Sequence, residues 1–251
     1  AEPIATPPVI VAPIRAVMTK TVPRRDFLRA SQRLCLGDQR DLQELARSWV
    51  GLGYQYSNIV VQPGQFSRRG GILDIWSPAE EMPVRIEFFG DEIDTLKHFD
   101  PSTQRTVNSL EKAFIFPASE ALPMAAEKKG LLTEGLSEFE IPQLYDFPSS
   151  LMDYLPGQTL ILLDGEEFIT AAINDIEEEA VERFQSLLEQ KALPEDFPLP
   201  YITWSEIEDS FTHHQVLELG HTNAFGLRRL AAAFDPGPRF AGRLKEFQAH
   251  L

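Results

Sequence analysis

From Val84 to Phe89 the chain alternates without a break, which puts Val84, Ile86 and Phe88 on one side of an extended strand and Arg85, Glu87 and Phe89 on the other. An apolar run at Ile72, Leu73 and Ile75 lies between Gly70–Gly71 and Ser77–Pro78 and predicts a short strand between turns. Gly90–Asp91 then turns the chain into residues 92–99, where Ile93, Leu96 and Phe99 fit a period of two less cleanly. The pattern predicts a small sheet from residues 57–105, preceded by a strand around Leu34 and Leu36 and followed by one at residues 113–116.

Helical spacing dominates elsewhere. Val9–Ala12 reads as a strand, with Pro13 opening a helix that carries Ile14, Val17 and Met18. Leu42, Leu45, Ala46, Trp49 and Val50 recur at helical spacing behind Asp38 as N-cap, and Gly51 and Gly53 end that helix. Residues 117–150 predict short helices and loops. Leu160–Leu163 is wholly apolar, the mark of a strand buried on both faces of a parallel sheet. Asp164 caps a helix over residues 166–190 whose apolar stripe runs from Ile169 to Leu188, with Glu177–Glu179 facing water. After the proline-rich stretch 194–200 come a strand at Tyr201–Trp204, a helix from Ser205 as N-cap to Phe211, and a strand at Val216–Leu219. There is no internal repeat.

A chain of 251 residues suits one large domain or two closely joined ones, and it holds no apolar run near the roughly 18 residues that span a bilayer. Residues 1–8 lack the basic head and apolar core of a secretory signal and read as a linker or cut boundary. One cysteine, Cys35, excludes an internal disulfide framework and suits a reducing cytoplasm. Residues 1–110 hold 13 Lys/Arg and 13 Asp/Glu, while residues 111–251 hold 10 and 25, so the second part carries the whole net charge of −15. Duplex DNA repels such a surface, and little DNA binding is expected of this piece.

No catalytic, cofactor or metal site is expected. A phosphate-binding loop needs a Gly-Lys pair, which the chain lacks; Leu160–Asp164 resembles a metal-holding strand but is more simply a strand followed by an N-cap. The five histidines lack zinc-site spacing, and Cys35 sits in an apolar run that suits a core thiol. What remains is the face bearing Arg85, Glu87 and Phe89. A solvated salt-bridge ladder would explain the charges, but an aromatic beside arginine on an open sheet face is the composition of a binding hot spot.

Three stretches carry a family resemblance: Gly64-x-Phe66-x-x-Arg69-Gly70-x-x-x-Asp74-Ile75, then the run from Arg85 to Ile93, then Asp100-Pro101-x-x-Gln104-Arg105. Together they resemble the second domain shared by the bacterial repair protein UvrB and the transcription-repair coupling factors, with weaker likeness at 8–50, 150–163 and 193–206. The run Ser102–Thr106, and the absence after Pro117 of UvrB's long Tyr- and Arg-containing stretch, resemble the coupling factors more than UvrB.

The resemblance implies an α/β fold with an inserted α+β domain: a degenerate RecA- or helicase-like remnant at 1–56 and 118–251, and a UvrB-like small sheet at 57–117. It implies a non-catalytic docking module that recruits UvrA to stalled RNA polymerase in transcription-coupled excision repair. ATP hydrolysis, DNA translocation and polymerase binding would belong to other domains of the parent, one of which covers the docking face. The positions matching the family's UvrA-binding residues are Arg69, Arg85 and Phe89, expected to be exposed together, with Arg68 and Glu87 adjacent. The alternative is a fragment of the UvrB helicase core whose ATP site is completed by sequence outside this chain.

Overall fold

The computed structural model describes residues 8–190, 194 and 197–219. In chain order the first elements are α1 (Ile14–Met18), α2 (Arg24–Ala30), β1 (Gln32–Cys35), α3 (Leu42–Gly51), β2 (Gln55–Tyr56), β3 (Gln65–Arg69), β4 (Ile72–Ile75), β5 (Val84–Phe89) and β6 (Glu92–Phe99). They are followed by β7 (Thr106–Leu110), β8 (Lys112–Ile115), α4 (Pro123–Lys129), α5 (Ile141–Leu144), β9 (Leu160–Asp164), α6 (Glu166–Glu189), α7 (Trp204–Phe211) and β10 (Gln215–Leu219).

Strands β2 to β7 form one six-stranded sheet in sequence order, antiparallel except for the β2–β3 pair. Its inner face buries Phe66, Leu73, Ile75, Val84, Ile86, Ile93 and Leu96. These pack in one core with Trp49 of α3 and with Leu34, Ala113 and Ile115 of the antiparallel β1–β8 ribbon. Trp49 is fully buried, edge-on to Phe66 at 5.7 Å, with its indole N–H donating to Gln32. Ile93 and Leu96 share this face although they are three positions apart, because the β5–β6 register shifts between Glu87 and Phe88. That bulge is why the period of two fails there in the sequence.

The apolar packing does not divide at residue 57. The first core runs from Val22 through the sheet to Tyr145, whereas Met18, Met152, Ile173, Ile176 and Ile207 form a second cluster under α1, α6 and α7. Behind the second cluster, β9 and β10 pair in parallel, as the apolar run predicts. They are not buried on both faces: Leu160, Leu162, Leu217 and Leu219 remain 44% to 53% exposed on the outward side.

Other local expectations shift. Val9–Ala12 forms no strand, since no neighbour among the described residues pairs with it, and Val9 and Val11 are about nine-tenths exposed. Asp41, not Asp38, caps α3 by accepting the Glu44 N–H; Asp38 instead accepts from the Cys35 N–H. Gly165, not Asp164, precedes α6, in the left-handed region with φ 75°. Thr203, not Ser205, caps α7 in a reciprocal box with Glu206, and so Tyr201–Trp204 is no strand. The expectation of short helices in 117–150 agrees with α4 and α5.

Candidate protein-docking site

The outer side of the six-stranded sheet is laid out in rows of directly paired residues. One row crosses from β3 to β7 as Ser67, Asp74, Arg85, Lys97 and Ser109, and the next runs Arg69, Ile72, Glu87 and Thr95. Phe89 lies beyond Glu87 on β5. The hairpin turns Gly70–Gly71 and Gly90–Asp91 set Arg69 and Phe89 at the same end of the sheet, and Phe88 N–H donates to the Gly71 carbonyl across that end. Gly70 adopts φ 60°, which glycine reaches without strain, and a Cβ at Gly71 would stand 3.3 Å from the Phe88 carbonyl oxygen.

Asp74 is the hub of this face. It is 1% exposed in a strand otherwise apolar, and a buried carboxylate requires partners. Arg69 Nη2 donates to its Oδ2 at 2.7 Å, Arg85 Nε to its Oδ1 at 2.7 Å, and Arg85 Nη2 to its Oδ2 at 2.9 Å. Arg85 also donates from Nη1 to the Gln104 carbonyl at 3.2 Å and stacks 4.6 Å from the buried Phe99 ring. The hydrogen bond to Asp74 raises the Arg85 pKa above its ordinary value, against the opposing effect of burial.

The turn at 100–105 leans on the same guanidinium. Asp100 Oδ1 accepts the Ser102 and Thr103 N–H groups at 2.8 and 2.9 Å, and these bonds, Thr103 foremost, hold its carboxyl below the ordinary range. Gln104 sits at φ 61°, a conformation that costs a non-glycine residue about 1 kcal/mol. Its Nε2 donates to the Val60 carbonyl at 3.1 Å and the Pro101 carbonyl at 2.8 Å, tying the turn to the loop before β3.

Of the residues expected together on this face, Arg69 is half exposed and Phe89 is 83% exposed, while Phe88 packs on the core. The alternation is therefore in register. Arg85 departs from expectation: only 14% of its side chain is exposed, because three of its N–H groups are spent on Asp74 and Gln104. Arg68, the adjacent candidate, pairs with the core residue Leu73 and so belongs to the opposite face, where it is exposed. Glu87 is on the outer face but engaged, accepting from Thr95 Oγ1 at 2.8 Å and Lys97 Nζ at 3.1 Å. The hub Asp74 and the turn residue Gln104 lie outside the residues expected to bind, although both stand in the stretches that carry the family resemblance. A lone acid inside the apolar run 72–75 was the available signal.

The bonds from Thr95 and then Lys97 hold the Glu87 carboxyl below its ordinary value. A lowered carboxyl stabilises the fold above its unfolded-state pKa and loses that contribution as the pH falls through its folded value. Glu87→Gln is therefore expected to lower the melt modestly near neutrality and to flatten the stability loss on acidification, so that the two proteins converge below the usual carboxylate range, about pH 4.3. Melting curves of both proteins down a pH series measure this; parallel acid limbs would refute it.

Among the described residues, no cluster of His, Cys, Asp and Glu could hold a metal ion, and no helix is long and apolar enough to cross a membrane. Comparison with known proteins matches residues 33–120 to the family described as UvrB interaction domain. The transcription-repair-coupling factor of Bacillus subtilis is 30% identical over 233 residues, covering 77% of this chain and 20% of that protein. The Myxococcus xanthus coupling factor is 42% identical over 115 residues, covering 46% of this chain and 10% of that protein. The UvrABC system protein B of Gloeothece citriformis is 36% identical over 110 residues, covering 44% and 16%. The chain thus spans at most about a fifth of the length of these relatives. Residues 33–120 are thus similar to the UvrB interaction domain family, in a chain that over most of its length is similar to the transcription-repair-coupling factors.

Proposed function

We propose that this chain is a non-catalytic docking module that recruits UvrA, within a cytoplasmic coupling factor that acts on stalled RNA polymerase. The observation that carries the reading is Phe89, 83% exposed at the same end of the outer sheet face as the half-exposed Arg69, within the matched stretch. A large apolar ring held in water gains most by burial against a partner, and an arginine on the same face adds charge-assisted hydrogen bonding. RNA polymerase and DNA would be engaged by parts of the longer protein. The charge of −15 opposes duplex binding by this part.

The docking unit would be the region packed in the first core, residues 22–145, rather than 57–117. The remainder would be the helicase-like remnant, whose open parallel pair β9–β10 would be covered by further elements of the longer chain. Calorimetric titration of the purified chain with UvrA tests the reading, with saturable binding expected; a flat titration sinks it. ATP binding in the same instrument would favour the UvrB-core alternative. Turnover above background or submicromolar duplex binding at physiological salt would overturn, respectively, the non-catalytic and the weak-DNA-binding parts.

A further inference from the structure

The bonds around Asp74 divide the outer face into residues that reach solvent and residues that hold them there. Asp74 is only 1% exposed and the Arg85 side chain 14%, so neither presents much surface to a partner. Arg69 uses one N–H on Asp74 and keeps half its side chain in solvent. We propose that Asp74 and Arg85 are positioning residues of the docking face rather than contact residues. The Asp74 carboxylate anchors the Arg69 guanidinium at the sheet surface, and Arg85, fixed on the same carboxylate, pins the 100–105 turn through the Gln104 carbonyl.

The physical gain is pre-organisation. A free arginine on the sheet surface would lose rotamer freedom when a partner captured it, which weakens binding. An arginine already bonded to a buried carboxylate has lost much of that freedom on folding, and its planar fork leaves other N–H groups free for the partner. The Arg85–Gln104 bond extends the device, because Gln104 links the turn to the Val60 loop. The face is thereby shaped before binding.

This inference rests on the docking reading, and a double-mutant cycle separates the two. Asp74→Asn keeps the shape of the side chain but replaces one acceptor oxygen with a donor facing the guanidinia. Titrations with UvrA, run below the melting temperatures of all variants, are expected to show about tenfold weaker binding for Asp74→Asn, with Arg69→Ala adding little in the double variant. Phe89→Ala should instead multiply with Asp74→Asn, since Phe89 does not depend on the carboxylate. Loss of folded protein alone would act equally on both pairs.

Wild-type affinity in Asp74→Asn, or equal coupling to Arg69 and Phe89, overturns the inference while leaving the docking reading intact. Failure of the wild-type chain to bind overturns the docking reading itself. Should Asp74→Asn be unfolded at the titration temperature, Arg69→Lys takes its place. Its ammonium keeps the charge but loses the fork, so a loss of about tenfold supports anchoring and unchanged affinity overturns it.

Discussion

Arg85→Ala is expected to lower the stability of the chain by about 3 kcal/mol, because removing one partner of a buried ion pair leaves an uncompensated charge. Asp74 would keep only the bond from Arg69, which is half in solvent. The Phe99 ring would lose the guanidinium stacked on it, and the Gln104 carbonyl its donor. For a chain of this size the change corresponds to a fall in melting temperature of roughly 6–12 °C. Arg85→Lys should recover part of it, since an ammonium cannot match both carboxylate oxygens as the planar fork does. Calorimetric or circular-dichroism melts decide the matter. An unchanged melt would mean that the Asp74 network does not brace the sheet and would return Arg85 to the role of a surface contact.

The same residue shows what the sequence could and could not reveal. Alternation from Val84 to Phe89 was legible because one face of β5 is buried, so the identity of each residue reports its side directly. That reading placed Phe89 outward and Phe88 inward. It could not report that Arg85 faces outward yet lies beneath a turn, since its partners come from β4 and from residue 104, 11 and 19 positions away. The long helix α6 was legible from its stripe for the same reason as β5. Caps were less legible where several acceptors compete: Asp38 and Asp41 both precede α3, and only the backbone geometry selects Asp41. The strand expected at Val9–Ala12 depends on neighbours, and no strand among the described residues lies beside it. Strand β7 is not legible in the sequence because Thr106–Leu110 is exposed at the sheet edge and carries no buried-face pattern.

Adjacent phenylalanines on β5 should fail in opposite ways. Phe89→Ala is expected to weaken UvrA binding by about 2 kcal/mol or more, roughly thirtyfold, as truncation of an aromatic hot spot does. Its melt should stay within about 0.5 kcal/mol of wild type, because a side chain mostly in water makes few contacts to lose. Phe88→Ala should do the reverse, since Phe88 packs on the core beneath the sheet and its removal leaves a cavity. A loss of about 2 kcal/mol of stability is expected there, with UvrA affinity near wild type for the protein that remains folded. The pair controls for itself: both substitutions delete the same ring one position apart, so a general perturbation of β5 would move both readouts together. Equal binding losses in the two variants would mean that the contact is not specific to the outer face. Wild-type affinity in Phe89→Ala, with Phe88→Ala destabilised as expected, would confirm the register of the strand and remove Phe89 from the docking surface.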